Sequence, residues 1–152
     1  MAINTTFTTG AVLTAAQMNN LPWGVAGKAK TTTNTTLSGT SQFLTNTLVT
    51  WTANPARLYK LTAFVSFQIT AGTGSVFAGI FSPASARISE GGQFGQAGTY
   101  ASICCVAYES GLSGSVSRQI KAQYIAGGIS AANTLTDATY PTILIVEDIG
   151  PA

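Results

Sequence analysis

The residue types that carry most catalytic chemistry are scarce in this chain. Histidine is absent from all 152 residues, which removes Ser-His-Asp and Cys-His nucleophile systems and histidine-based metal sites. The two cysteines, Cys104 and Cys105, are adjacent, so they form neither a C-x-x-C motif nor a disulfide framework within the chain. We interpret them as small buried apolar side chains. The sequence therefore predicts no metal site and no cofactor.

The carboxylates give no catalytic pattern either. Glycoside hydrolysis needs two of them roughly 5–10 Å apart across a cleft. Glu147 and Asp148 are consecutive on a predicted strand and point apart, while Glu109 and Asp137 fall at strand ends or in loops. Carboxylates distant in sequence could still meet, but no spacing indicates it, so we expect no enzymatic activity. The Gly-rich stretch 90–98 lacks the Gly-Lys-Ser/Thr ending of a phosphate loop, and we interpret it as a flexible tip between strands.

Composition narrows the class of protein further. Charged residues make up 8% of the chain, while it contains 23 Thr, 13 Ser and 16 Gly. A hydrophobic fraction of 45% rules out disorder of the whole chain, and the length suits one domain. The seven basic residues are dispersed, which argues against nucleic-acid binding, and no apolar run is long enough for a membrane helix. Residues 1–9 lack the features of a signal peptide, so we expect synthesis in the cytoplasm.

Residues 1–39 differ from the rest and predict an N-terminal docking arm. Thr14 and Gln17 have the spacing of a capping box, with Leu13 and Met18 placed as a hydrophobic staple, which predicts a short helix at about 15–20. Pro22 ends that helix, and a Thr-rich polar run follows. The residues predicted to dock the arm on another chain are Leu13, Met18, Leu21, Trp23 and Val25. The alternative is that the arm folds back on its own domain.

Residues 40–152 predict an antiparallel, jelly-roll-like β-sandwich. Alternating apolar and polar residues run from Arg57 to Thr70, and a Gly-rich turn at 71–74 predicts a hairpin with 75–82. Further strands are expected at 42–44, 47–52, 100–108, 116–124 and 142–149. Seven or eight short strands with Gly-rich turns are typical of an all-β sandwich or barrel.

Two of these strands are apolar on both faces, 100–108 and 143–146. One face of each can line the core, and the other needs a second cover. A loop or the arm could supply that cover, but we favour a subunit interface because the outside carries so few charges. The residues predicted to form it are Cys104, Val106, Tyr108, Ile143 and Ile145.

Three segments together resemble structural proteins of tailed bacteriophages. The opening stretch 7–19 is similar to the start of many such proteins, and 57–68 resembles a strand of their β-rich domains. The ending 144–151 is similar to the terminus of minor tail and head-associated proteins of phages that infect actinobacteria. The resemblance implies a multimeric virion component, commonly a trimer.

We therefore predict a capsid decoration or head-spike subunit that forms a homotrimer and contacts the major capsid protein. An arm joined directly to one β domain favours a location on the capsid, because tail fibres normally carry a coiled coil or a repeat between the anchor and the tip. The alternatives are a minor tail or tail-fibre-type subunit that contacts tail proteins, and a module that binds a host-surface carbohydrate.

Overall fold

The computed structural model describes residues 21–125 and 128–152, together with Ala15 and Met18. Within residues 21–125 and 128–152 the secondary structure consists of nine β-strands. They are β1 (Gly24–Thr31), β2 (Gln42–Phe43), β3 (Val49–Ala53), β4 (Arg57–Phe81), β5 (Arg87–Gln96), β6 (Tyr100–Glu109), β7 (Gly114–Tyr124), β8 (Ile129–Thr134) and β9 (Thr142–Pro151). All the strand pairs are antiparallel, so the all-β prediction is confirmed. The helix predicted at 15–20 lies outside the described residues except for Ala15 and Met18.

The strand β4 runs for 25 residues through the whole fold, and the hairpin predicted at 71–74 is wrong. Instead of turning back, the chain bends at two register shifts between Ile69 and Gly72 and continues in a new direction. Gly72 has a positive φ of 86°, and a Cβ there would lie 1.9 Å from the carbonyl oxygen of Gly128. Only glycine tolerates both the positive φ and this close approach. Gly72 therefore allows β4 to bend, whereas the sequence pattern had suggested a hairpin turn there.

The bend divides one curled sheet into two halves that pack face to face. In the first half, residues 57–72 of β4 lie between β6 on one side and β9 and β8 on the other. In the second half, residues 73–81 of β4 lie between β5 and β7, and β7 also pairs with β2 and β3. The core between the halves consists of the inward-facing residues of both, among them Tyr59, Phe67, Ile80, Ile120 and Leu144.

The Gly-rich stretch 90–98 is not a flexible tip, because most of it belongs to β5. Gly91 and Gly92 pair with Ala78 and Phe77 of β4. A Cβ on Gly92 would lie 2.5 Å from the ring of Phe77, and one on Gly91 would lie 3.1 Å from Ile103 of β6. These glycines let β5 pack closely against its neighbours.

The boundary predicted at residue 39 also needs correction. Residues 24–31 form β1, which pairs with β9 along the edge of the first half. Beyond it, Thr36 bridges to Asn133 of β8, and Leu37 is buried in the core. The polar Thr-rich run therefore belongs to the β domain, because its backbone completes a sheet edge although its side chains supply little core.

Candidate interaction surfaces

The outer face of the first half brings all five predicted interface residues together. Phe64 of β4 is paired with Cys104 of β6 on one side and with Ile143 of β9 on the other. Two residues away, Thr62 is paired with Val106 and Ile145 in the same manner. Because residues two apart on a strand share a face, these side chains form one continuous patch. We call this patch the apolar strip, and its members are Phe64, Cys104, Val106, Tyr108, Ile143 and Ile145.

The apolar strip is open to solvent along β6. Tyr108 is 62% exposed, Val106 43% and Phe64 37%, while Ile143 and Ile145 are half-buried between β1 and β4. Neither a loop nor the N-terminal segment among the described residues covers β6. The sequence prediction missed Phe64, although its interruption of the polar face of β4 was the signal that could have included it.

Polar groups surround the apolar strip. Ser66 and Ser102 share a hydrogen bond of 3.1 Å at one end, and Lys60 lies 3.4 Å from Glu147 at the other. Along β1, Lys28 and Lys30 are paired with Ile145 and Ile143. An apolar centre within a polar rim is the usual composition of a protein interface.

The two adjacent cysteines occupy opposite faces of β6. Cys105 is buried and donates to the carbonyl of Ala78 at 3.3 Å, and burial raises the pKa of its thiol. Cys104 is exposed in the apolar strip. The interpretation of both as buried is therefore wrong for Cys104, because neighbouring residues on a strand cannot share one core face.

The described docking residues of the arm are exposed apolar side chains. Met18, Leu21, Trp23 and Val25 all present large surfaces to solvent, and Leu13 lies outside the described residues. Arg57 of β4 fixes the course of this segment, since its Nη2 donates to the carbonyl of Leu21 at 2.6 Å and its guanidinium lies 4.4 Å from the centroid of the Trp23 ring. Whether these residues dock on another chain stays a prediction.

A cleft opens where the edges of the two halves diverge. Close to β3, Gly27 of β1 is packed so tightly that a Cβ would lie 2.5 Å from Val49. Toward the start of β1 the gap widens into a cleft of about 250 Å³. We call it the tryptophan cleft, and its walls are residues 23–26, Trp51, Thr52, Tyr59 and Asp148.

The base of the tryptophan cleft is held by a buried ion pair. Arg57 and Asp148 are 3% and 2% exposed, and Nε of Arg57 donates to both carboxylate oxygens at 3.0 and 2.8 Å. Asp148 also accepts from the backbone N–H of Gly150 at 3.0 Å. A bidentate, multiply hydrogen-bonded pair of this kind compensates the desolvation of both charges.

The remaining acidic residues have structural partners as well. Glu109 accepts from Nε and Nη2 of Arg118 at 2.9 and 2.6 Å, and Glu90 accepts from Arg87 at 2.9 Å. Asp137 accepts two backbone N–H groups, from Thr139 and Tyr140, at 2.7 Å each. Across the described residues, no three metal-ligating side chains cluster, and none of the secondary structure there is a helix long and apolar enough to cross a membrane.

Comparison with known proteins finds structures of similar fold but no family to which the sequence can be assigned. No family model matches the sequence, and no curated protein matches it either. The Eiger TNF from S. frugiperda superposes with a TM-score of 0.50 at 9% identity, over 85% of this chain and 94% of that one. The tripod from the baseplate of bacteriophage Tuc2009 aligns at a TM-score of 0.43 and 17% identity, over 77% and 64% of the two chains. A carbohydrate-binding module from the Cellvibrio mixtus lichenase 5A, in complex with cellotriose, aligns at 0.35 and 15%, over 82% and 98%.

Proposed function

We propose that this chain is a non-enzymatic structural subunit of a bacteriophage virion, a capsid decoration or head-spike protein anchored by its N-terminal arm. The observation that carries the proposal is the apolar strip, an uncovered apolar patch on a Ser- and Thr-rich chain of which only 8% of the residues are charged. Such a patch favours permanent association over a free monomer. The sequence resemblance supports the virion setting.

Self-association through the apolar strip is the first element of this function. Fully burying a Val, Ile or Phe side chain contributes roughly 1.5–3 kcal/mol. Each copy offers six strip residues, and burying the strips of two copies against each other gives a gain of the same order as the association cost of about 4–15 kcal/mol. Identical chains assemble with closed symmetry, and the phage resemblance favours a homotrimer over a dimer.

The arm is the second element, and its described apolar side chains before β1 do not pack into the core of their own domain. Met18 and Leu21 are exposed at its described end, and Arg57 holds the start of β1 in place. We expect these apolar side chains to bury against the major capsid protein. The structural roles of all five carboxylates support the absence of catalysis.

Immunogold labelling of intact particles of the encoding phage tests the virion assignment directly. Gold on the heads is the expected result, gold on the tails would favour the minor tail alternative, and unlabelled particles would refute the proposal.

Removal of the arm tests the anchor separately. A chain beginning at residue 21 retains β1 and should keep the circular dichroism spectrum of a folded β-sheet domain, but it should no longer decorate particles. The point variant Met18→Asp should weaken decoration in the same direction, while Phe94→Asp on the exposed part of β5 serves as the control. Full occupancy by the truncated chain would show that residues 1–20 are not the anchor.

A further inference from the structure

We propose that the tryptophan cleft binds an uncharged saccharide. Trp23 is also a predicted docking residue of the arm, so the proposal is tested on the isolated protein, in which Trp23 is exposed, and its outcome does not depend on the virion function. Three features of the cleft carry it. They are an aromatic platform at the mouth, a hydrogen-bond donor without a partner in the wall, and an ion pair at the floor whose two charges cancel.

The platform is Trp23. It is 61% exposed, and the guanidinium of Arg57 lies 4.4 Å from its ring centroid. The contact with Arg57 holds the ring in place while leaving much of the side chain open to the mouth of the cleft. A flat, rigidly held aromatic surface suits the C–H face of a sugar ring, which is apolar although its edge carries hydroxyl groups.

The unpartnered donor is the indole N–H of Trp51 in the wall. Trp51 is 5% exposed, and its Nε1 has no hydrogen-bond partner. Its ring is fixed by Tyr59, whose centroid lies 5.7 Å away, and the hydroxyl of Tyr59 is in turn held by the backbone N–H of Asn54 at 2.9 Å. A buried donor without an acceptor is unfavourable, so a ligand oxygen that reached this N–H from the cleft would relieve that cost.

The charges at the floor of the cleft favour an uncharged ligand. Asp148 is the acidic residue that lines the cleft, and Arg57 neutralises it. The same guanidinium lies against Trp23, which disfavours a cation there. The volume of about 250 Å³ is below the roughly 300–1,000 Å³ of pockets for drug-sized ligands, so it suits about one sugar ring of a longer chain.

Tryptophan fluorescence offers a direct test, because both tryptophans of the chain line the cleft. The protein is titrated with neutral mono- to tetrasaccharides of glucose, galactose, mannose and N-acetylglucosamine. A saturable change with at least one of them at millimolar concentration is the expected result. No change with any of them, or binding only of a charged sugar, would overturn the proposal.

Variants separate the cleft from other aromatic surfaces. Trp23→Ala should weaken binding by about fivefold to tenfold, as expected for one lost aromatic contact. Trp51→Phe keeps a ring but deletes the N–H donor, and it should weaken binding by about threefold to tenfold. Phe94→Ala removes an exposed aromatic side chain outside the cleft and should leave affinity unchanged. Calorimetric titration of each folded variant gives the affinities, and unaltered binding by both tryptophan variants would place the saccharide elsewhere and refute the assignment.

Discussion

The two outer faces of the curled sheet differ in whether a charged side chain of the same chain covers their apolar residues. On the second half, Lys121 extends over Phe43 and Phe81, with its ammonium 4.4 and 5.5 Å from the two ring centroids. On the first half, Phe64 and Val106 stand on the surface with no charged side chain above them, and the ion pair of Lys60 with Glu147 lies at one end.

Around Lys121 the second half therefore covers its apolar surface within one chain, although Phe94 of β5 stays exposed, whereas the apolar strip of the first half is uncovered. Lysine stems commonly cover apolar surface while the ammonium remains in water. The second half uses this device, and Gln119 and Gln123 flank the same lysine on β7. The first half places Lys28 and Lys30 on β1, at the side of the apolar strip, and Lys60 on β4, at one end of it. We infer that the strip is reserved for a partner copy.

The largest effect is expected from a charge placed in the apolar strip. Ile145→Lys should convert the wild-type oligomer into single chains of about 15.6 kDa, because a lysine in the interface would be desolvated without a partner. Light scattering at micromolar concentration measures the mass, and circular dichroism checks the fold.

The second outer face provides the matched control for this experiment. Gln123→Lys adds the same charge there and should leave the mass of the oligomer unchanged. Val106→Asp supplies a second strip variant in case Ile145→Lys does not fold. A wild-type mass of one chain would contradict self-association, and a mass of two chains would keep the interface but replace the trimer by a dimer.

A smaller effect is expected in the reactivity of the cysteines. In the assembled protein Cys104 should react with a thiol reagent at least about tenfold more slowly than in the monomeric Ile145→Lys variant, a difference of about 1.4 kcal/mol. Cys105 should react only after unfolding, because it is buried and its thiol has a raised pKa. The Cys104→Ser variant identifies the reacting thiol, and equal rates in both proteins would mean that the strip is uncovered.

The smallest effect is expected on the second face. Lys121→Met keeps most of the stem but removes the charge above Phe43 and Phe81, so the free energy of unfolding should fall by about 0.5–1 kcal/mol. Urea denaturation measures this change, and Lys28→Met on exposed β1 is the control. An unchanged stability would show that the contacts of Lys121 with the two rings contribute nothing, and the contrast between the faces would then rest on exposure alone.

Strands were predicted well from the sequence where apolar and polar side chains alternate. They were predicted poorly where backbone hydrogen bonding to a neighbouring strand alone determines that the segment is a strand. The strand from Arg57 to Thr70 is predicted because the inward residues between Tyr59 and Ile69 are apolar. Strand 100–108 does not alternate in polarity, and there the period of two alone put Cys104, Val106 and Tyr108 on one face. The residues of β1 and β5 gave no such signal, since Lys, Thr and Gly contribute little to a core. They form strands because the edges of β9 and β4 offer unpaired backbone groups, and that is a property of the assembled sheet.

For the candidate surfaces, composition and periodicity already determined that strands 100–108 and 143–146 carry apolar residues on both faces, and that the chain lacks a histidine for common catalytic and metal sites. Only the tertiary structure decided that Phe64 joins these residues, because it lies between Cys104 and Ile143 through pairing with two strands distant in sequence. The tryptophan cleft likewise could not be predicted from the sequence. Trp23, Trp51 and Asp148 are far apart along the chain, and they meet only where the bend in β4 brings the edges of both halves together.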